Sequence, residues 1–313
     1  MKNLKNLLLL MLMAFSMTAV SQNGILLKLD LQPGATYKMT NRLKNEVSQT
    51  IMGVEQEIAE EVTQYMTYQV LGTKADGNIA IQLTFDRVIF VSNQLTGESR
   101  YDSDDTDDPA DPQAQRYAAI IDIPFQLEMT KTGEIVKFQG MESAVEGVIE
   151  KENITDPAKK ERIRKSLGDL FSRETLAEQL SLSILFPEER VAIGDSWSKE
   201  KEVNSGPFPI MTKTTYTVNE INAMDVIIDV TSIISTTGST SVSSSDGMTM
   251  KADLRGEQIG QIIIDKNSGW LTNSNLDKNM DGTVTVEPSE ELPEGFSWPM
   301  KIVSSLTSEP TAQ

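Results

Sequence analysis

Two stretches of the chain alternate apolar and polar residues with the period of a half-buried strand, and helical spacing lies between them. Ile25 to Leu31 alternates in part, Pro33-Gly34 turns the chain, and Tyr37-Lys-Met-Thr opens a second extended run. Val62 to Val70 alternates again, and Ile79, Ile81, Leu83 and Phe85 share one face of the next run. Asp76-Gly77-Asn78 separates these two runs, which predicts a hairpin. Pro124–Met129 and Ile135–Phe138 predict another around Lys131-Thr132-Gly133. Between the hairpins, Asp102-Ser-Asp-Asp-Thr-Asp-Asp-Pro-Ala-Asp-Pro is polar and broken by proline, so it reads as a loop.

From Met141 to about Leu185 the period changes. Met141–Glu150 predicts a short helix, and Asp156 caps a second with Pro157 in its first turn and Ile163 and Leu167 on its apolar face. Glu174–Leu185 predicts a third, stopped by Pro187. Alternation returns after Val191, in Thr215–Val218 and in Val226–Ile234, whose Val226, Ile228, Val230 and Ser232 lie on one side. Thr236–Asp246 reads as a Ser/Thr/Gly-rich loop. Met248–Ile264 and Trp270–Leu276 predict a last hairpin around Asn267-Ser268-Gly269, and the Pro- and Glu-rich remainder reads as a weakly ordered tail.

The two β stretches match each other landmark by landmark. Gly34-Ala-Thr-Tyr37 corresponds to Gly194-Asp-Ser-Trp197, and Thr67-Tyr68-Gln69-Val70 to Thr215-Tyr216-Thr217-Val218. Strands starting at Ile79 and Val226 follow, and then the turns at Lys131 and Lys266. The expected fold is mainly β with a helical connector, two similar antiparallel curved sheets, α+β overall. The boundaries are residues 1–21 for a leader, 22–140 for β repeat 1, 141–190 for the connector, 191–287 for β repeat 2 and 288–313 for a flexible tail.

Three short motifs carry a resemblance: Leu29-Asp-Leu31-Gln-Pro-Gly34-Ala-Thr-Tyr37, Gly53-Val-Glu-Gln-Glu-Ile58 and Ile193-Gly-Asp-Ser-Trp197. With them the chain resembles an exported bacterial β-rich family of unknown function, in which Val stands where this chain has Ile193. That resemblance implies a signal peptide and no assigned catalytic residues.

Lys2 and Lys5 precede an apolar run from Leu7 to Val20, with small Ala19 and Ser21 before Gln22. This is the layout of a cleavable secretory signal, and the run is shorter than the ~20 apolar residues that span a bilayer. The expected location is therefore periplasmic or secreted, with no transmembrane segment in the mature chain. A formal net charge of −18 disfavours nucleic acid and anionic membrane surfaces as partners. Cysteine and histidine are both absent, which removes disulfides, thiol nucleophiles, imidazole ligands and any Ser-His-Asp triad. Ser196-Trp-Ser-Lys199 has Ser-x-x-Lys spacing, but that pair needs a helix and this stretch reads as strand.

Two acidic stretches are candidate calcium sites, the one cofactor the sequence brings into view. Asp277, Asn279 and Asp281, followed by Gly282, resemble the start of an EF-hand loop, although the twelfth position is Pro288. The alternative is an Asp-Gly hairpin turn. Asp102, Asp104, Asp105 and Asp107 could share a cation, or form a solvated loop. Tyr37, Tyr68, Trp197 and Tyr216 are candidates for lining a ligand pocket, against the plainer reading that they are core. The expectation is a non-enzymatic cell-envelope binding or scaffold protein for an apolar ligand or a protein partner. The competing expectations are a carboxylate-based hydrolase of envelope glycans and a calcium-stabilised module.

Overall fold

The computed structural model describes residues 24–94, 97–105, 109, 111–151, 153–170, 185–203, 208–236, 242–243, 249–289 and 292–312. The leader, Asp107 and nearly all of the third expected helix lie outside the described residues. The first half contains β1 (Thr36–Ile51), β2 (Val54–Thr73), β3 (Ile79–Gln94), β4 (Gly97–Asp102), α1 (Pro112–Ala118), β5 (Phe125–Met129) and β6 (Ile135–Gln139). Helices α2 (Met141–Lys151) and α3 (Pro157–Leu170) follow. The second half contains β7 (Ser196–Val203), β8 (Ile210–Ile221), β9 (Asp225–Thr236), β10 (Val242–Ser243), β11 (Thr249–Asp265), β12 (Leu271–Val286) and β13 (Phe296–Pro310). No described helix is long and apolar enough to cross a membrane.

The strands form one antiparallel sheet rather than the two that the repeated pattern predicts. Its order is β6-β5-β3-β2-β1-β13-β12-β11-β9-β8-β7, with β4 beside β3 and β10 beside β11. The joining element is β13, which pairs with β1 on one side and β12 on the other. The expected flexible tail is thus the central strand. Trp298, Met300, Ile302 and Leu306 alternate along it on a single face, so it buries an apolar row like its neighbours do.

Within this one sheet the two halves use the same local bonds. The Gly34 N–H donates to the Val70 carbonyl at 2.8 Å, and the Val70 N–H donates to Ala35 at 2.9 Å. The Gly194 N–H donates to Val218 at 2.8 Å, and the Val218 N–H donates to Asp195 at 3.0 Å. Both glycines have φ near +80° to +90°, in the left-handed region that disfavours a Cβ. Tyr37 then pairs across to Tyr68, and Trp197 to Tyr216. The hairpins β2–β3, β5–β6 and β11–β12 stand where the alternation places them.

The sheet curls until its two ends meet at one peptide. The Phe186 N–H donates to the Thr132 carbonyl in the β5–β6 turn at 2.9 Å. The neighbouring Leu185 carbonyl accepts from Trp197 Nε1, on edge strand β7, at 2.7 Å. Short edges carry little risk of further pairing, and β7 also displays Lys199, Glu200, Lys201 and Glu202. Ile25–Leu31, expected as a strand, makes only an isolated bridge from Ile25 to Val191. Instead it wedges Leu27, Leu29 and Leu31 into the core, and its backbone bonds to both hairpin turns. Leu29 donates to Lys131 and Asp30 to Ser268, each at 2.8 Å. A large core therefore fills this closed end, while a smaller one, around Ile234, Leu254, Met280, Val284 and Trp298, sits toward the other end.

Candidate functional site

Side chains of alternate strand residues point to the same face, so the register fixes which of them line up across the sheet. On the inner face, the one that carries the cores, one transverse row is polar at every strand. Ser99 of β4 lies opposite Ser92, Ser92 opposite Glu60, and Glu60 opposite Asn45. Asn45 pairs with Ser304, Ser304 with Lys278, and Lys278 with Gln258. Gln258 pairs with Ser232, Ser232 with Thr214, and Thr214 with Lys199 on the β7 edge. At an inter-strand spacing of ~4.8 Å the row is about 43 Å long.

Apolar rows flank it on both sides. Toward the closed end, Phe90, Val62, Leu43, Leu306 and Leu276 stand opposite one another in turn. The same row continues through Gly260 and Val230 to Tyr216 and Trp197. On the other side run Ile58, Val47, Ile302 and Met280, then Gly256 and Ile234. These three rows together make up the part of the curled inner face called the trough, in which Ser232, Ser304, Val230 and Met280 are buried and Leu43, Val47 and Leu276 are half-buried.

Several row members bond to their neighbours. The Ser304 hydroxyl donates to Asn45 Oδ1 at 2.7 Å, and the Thr214 and Ser232 hydroxyls are 2.9 Å apart. At the β2 position the first turn of α1 covers the row. Asp111 caps this helix by accepting from the Gln113 and Ala114 N–H groups at 2.7 and 3.3 Å, with Pro112 at its start. Tyr117 of the same helix packs on Phe90 with ring centroids 5.7 Å apart. Burial beneath the helix holds the Glu60 carboxyl above its ordinary range, and the hydrogen bond from Gln113 opposes that shift.

The expected aromatic lining divides into two parts. Tyr37 stacks on Trp270 at 4.5 Å, and fully buried Tyr68 meets the same indole edge-on at 5.1 Å. This pair is core at the closed end, away from the trough. Trp197 and Tyr216 stack at 5.3 Å and end the closed-side apolar row at the β7 rim. Burial pushes the Tyr216 phenol up to about 12.

The calcium candidates are placed on the outer face. Asp277, Asn279 and Asp281 are alternate exposed residues of strand β12, so the EF-hand-like turn expected there is extended chain. Side chains two apart on a strand diverge by several ångströms along it, whereas a calcium loop must fold its oxygens to within ~2.3–2.6 Å of one ion. Asp102 is buried and accepts from Arg87 Nε at 2.9 Å and Nη2 at 2.6 Å. That fork holds its carboxyl below the ordinary range. Asp104 lies 3.2 Å from the same guanidinium. Among the described residues no three acidic side chains gather as a metal cage. The outer face also has a shallow hollow of 490 Å³ lined by Arg42, Lys44, Glu61 and Arg100. Glu61 pairs there with Arg42 at 3.4 Å and Lys44 at 3.3 Å, one carboxylate among three basic side chains, so the hollow keeps a net positive charge.

A structure of lipid–protein interactions in lipovitellin is 11% identical with a TM-score of 0.48, over 90% of this chain and 26% of that one. The chain thus spans about a quarter of the lipovitellin chain's length. An outer membrane channel from Pseudomonas putida F1 is 6% identical with a TM-score of 0.25, over 90% of this chain and 97% of that one. The translocator domain of the autotransporter NalP from Neisseria meningitidis is also 6% identical, with a TM-score of 0.17, over 90% and 91% of the two chains. No curated protein sequence matches. A family profile does match, over residues 76–271, and by that match the chain belongs to a family of unknown function, DUF6263.

Proposed function

We propose that this is a non-enzymatic binding protein of the cell envelope that holds an amphiphilic small molecule along its inner trough. The observation that carries the reading is the alternation of rows: apolar, polar, apolar, continuous from β2 to β9. An acyl or polyprenyl tail lying along an apolar row is removed from water, and its polar end meets the Ser, Asn and Gln side chains beside it. Burial of a twelve-carbon tail at ~0.8 kcal/mol per methylene contributes roughly 9 kcal/mol, and association costs of at least ~4 kcal/mol leave at most about 5 kcal/mol, a Kd of roughly 0.2 mM or weaker. Export rests on the leader at residues 1–21, and its release into the envelope completes the reading.

We also read the two halves as copies of one β unit joined through β13. The paired bonds at Gly34–Val70 and Gly194–Val218, and the shared strand order, support this. In this view duplication doubles the width of the trough, and Trp197 and Tyr216 form its rim.

The test is titration with a neutral apolar fluorophore such as N-phenyl-1-naphthylamine. The expected result is saturable binding at about one site per chain. Leu306→Gln, in the middle of the closed-side row, weakens it about tenfold with the fold intact by circular dichroism. Binding that does not saturate, or that Leu306→Gln leaves unchanged, refutes the trough as the site.

A further inference from the structure

On the outer face the register lines up two rows of the hollow across β13 and the strands of the first half. Thr307, Arg42, Thr63 and Ile89 stand opposite one another in turn, from β13 through β1 and β2 to β3. Beside them run Ser305, Lys44, Glu61 and Val91, and Arg100 of β4 ends this second row. The 490 Å³ that they enclose with Tyr65 lies within the ~300–1,000 Å³ of small-molecule sites. Thr63 is the floor: it is 6% exposed although it belongs to the outer face. Among the described residues its hydroxyl has no hydrogen-bond partner, nor do those of Ser305 and Thr307. A hydroxyl buried without a partner costs stability, so a floor of this kind suits a ligand that supplies the bond. The basic side chains above it are held loosely. Glu61 lies 3.4 Å from Arg42 and 3.3 Å from Lys44, longer than the ~2.7–2.9 Å of a charge-assisted hydrogen bond. Arg100 is 3.8 Å from Asp102, whose two oxygens already accept from Arg87. On the β12 side Asp277 stands beside Ser305, outside the lining.

We propose that this hollow is a second binding site, for a small hydroxylated anion of the sugar-acid or sugar-phosphate class. Arg42, Lys44 and Arg100 take the oxyanion, and Thr63, Ser305 and Thr307 meet the hydroxyl groups. The site lies on the opposite face of the sheet from the trough and does not rest on the reading given to it. An oxyanion replaces the long contacts to Glu61 with shorter charge-assisted bonds, and a guanidinium offers it two parallel donors. Lys44 and Arg100 are three strands apart, about 14 Å between backbones, so a single bare ion does not engage both rims while touching the floor. A ligand with hydroxyl groups around its charge fills that span. A long polyanion is disfavoured, because a chain with a formal net charge of −18 repels it beyond the hollow. Carboxylate and phosphate share the recognised chemistry, and the choice between them is left to the titration.

The experiment is calorimetric titration of the full chain at about 0.15 M salt, where attraction to exposed charges is largely screened. The probes are galacturonate, glucose 6-phosphate, galactose, acetate and inorganic phosphate. Galacturonate or glucose 6-phosphate should bind saturably, at least tenfold more tightly than galactose, acetate or phosphate, and the tighter of the two identifies the oxyanion. Arg42→Gln should weaken that binding about tenfold. Glu61→Gln, which removes the competing carboxylate, should tighten it about threefold, whereas Glu57→Gln, the same change on the same face outside the lining, should not. Thr63→Val should weaken it about fivefold without lowering the urea midpoint of the unliganded protein, because the hydroxyl it removes has no partner there. Millimolar galacturonate and glucose 6-phosphate that both fail to bind overturn the proposal. Galactose or inorganic phosphate binding as tightly as either also overturns it, as does Glu57→Gln matching Glu61→Gln. A Thr63→Val protein that binds as the wild type does, or whose midpoint falls, removes the floor from the site and overturns the assignment.

Discussion

Gly260→Ala tests whether the rows are positioned as described. Gly260 lies in the closed-side apolar row between Leu276 and Val230. An added Cβ would fall 2.0 Å from the Asn275 carbonyl oxygen and 2.9 Å from Leu276 Cα. Ordinary contacts need more than 3 Å, so β11 and β12 must separate by about 1 Å or the local backbone must rotate. Overpacking of this kind costs ~1–3 kcal/mol. Opening the ladder there weakens roughly two backbone hydrogen bonds at about 1 kcal/mol each. The sum is on the order of 3–5 kcal/mol, a large share of a stability of ~5–15 kcal/mol. Urea unfolding followed by circular dichroism measures it. With a slope of about 3 kcal/mol per molar, the midpoint should fall by about 1–1.7 M. Gly53→Ala is the control: its φ is +82°, nothing lies within 4 Å of the added atom, and its cost is confined to a backbone term of ~1–2 kcal/mol. If Gly260→Ala shifts the midpoint no more than Gly53→Ala does, β11 and β12 do not approach as closely as the rows require.

Three further outcomes follow from named contacts. Glu60→Gln should raise the melting temperature at pH 7 by about 1–2 °C and change nothing near pH 3: burial raises the folded-state pKa, so the favourable contribution present below the unfolded value is lost as pH rises through the folded one. Asp102→Asn should lower stability at pH 7 by about 2 kcal/mol, because it breaks a buried fork to Arg87, whose guanidinium is 35% exposed. Since the Asp102 pKa is lowered on folding, that contribution is complete above the unfolded value and disappears as pH falls through the folded one, so wild type and variant should converge in acid denaturation. Truncation after Gly295 removes β13 from between β1 and β12 and should leave no cooperative unfolding transition by calorimetry.

The strands were legible where a single face is buried. Ile79, Ile81, Leu83 and Phe85 alternate cleanly, and all four are buried in β3. Asp156 accepts from the Ala158 N–H at 2.9 Å, the cap that its place before Pro157 implies. Two segments misled for opposite reasons. Ile25–Leu31 alternates, but its carbonyls and amides are divided between Val191, Lys131 and Ser268, so it is a wedge and not a strand. Phe296–Pro310 contains Pro299 and follows a Pro- and Glu-rich stretch, yet it lies at the centre of the sheet with Pro299 opposite Thr283. Its inward residues 298, 300, 302 and 306 were visible, but composition around them argued for a tail. Helix α1 was missed because Asp111 and Pro112 read equally well as a broken acidic loop and as a cap with its first turn.

The trough was not legible because it is a property of register, and period-two patterning fixes face without fixing register. Taken alone, Ser232 between Val230 and Ile234, or Lys278 between Leu276 and Met280, is a polar residue with apolar neighbours on its side, which a strand tolerates. The pairing adds that each such residue faces another: Ser232 faces Gln258, Gln258 faces Lys278, and Lys278 faces Ser304. A slip of two residues in any one pairing would keep every side chain on its face and still cut the row. The adjacent closed-side row, drawn from the same strands, has no polar member from Val62 through Leu43, Leu306 and Leu276 to Val230 apart from the backbone of Gly260. One row further toward the closed end, Gln64, Asn41, Ser308 and Ser274 are again polar, and there they are buried. On the reading proposed above, an amphiphile lying along the trough would meet a face that is polar along one line and apolar along the next.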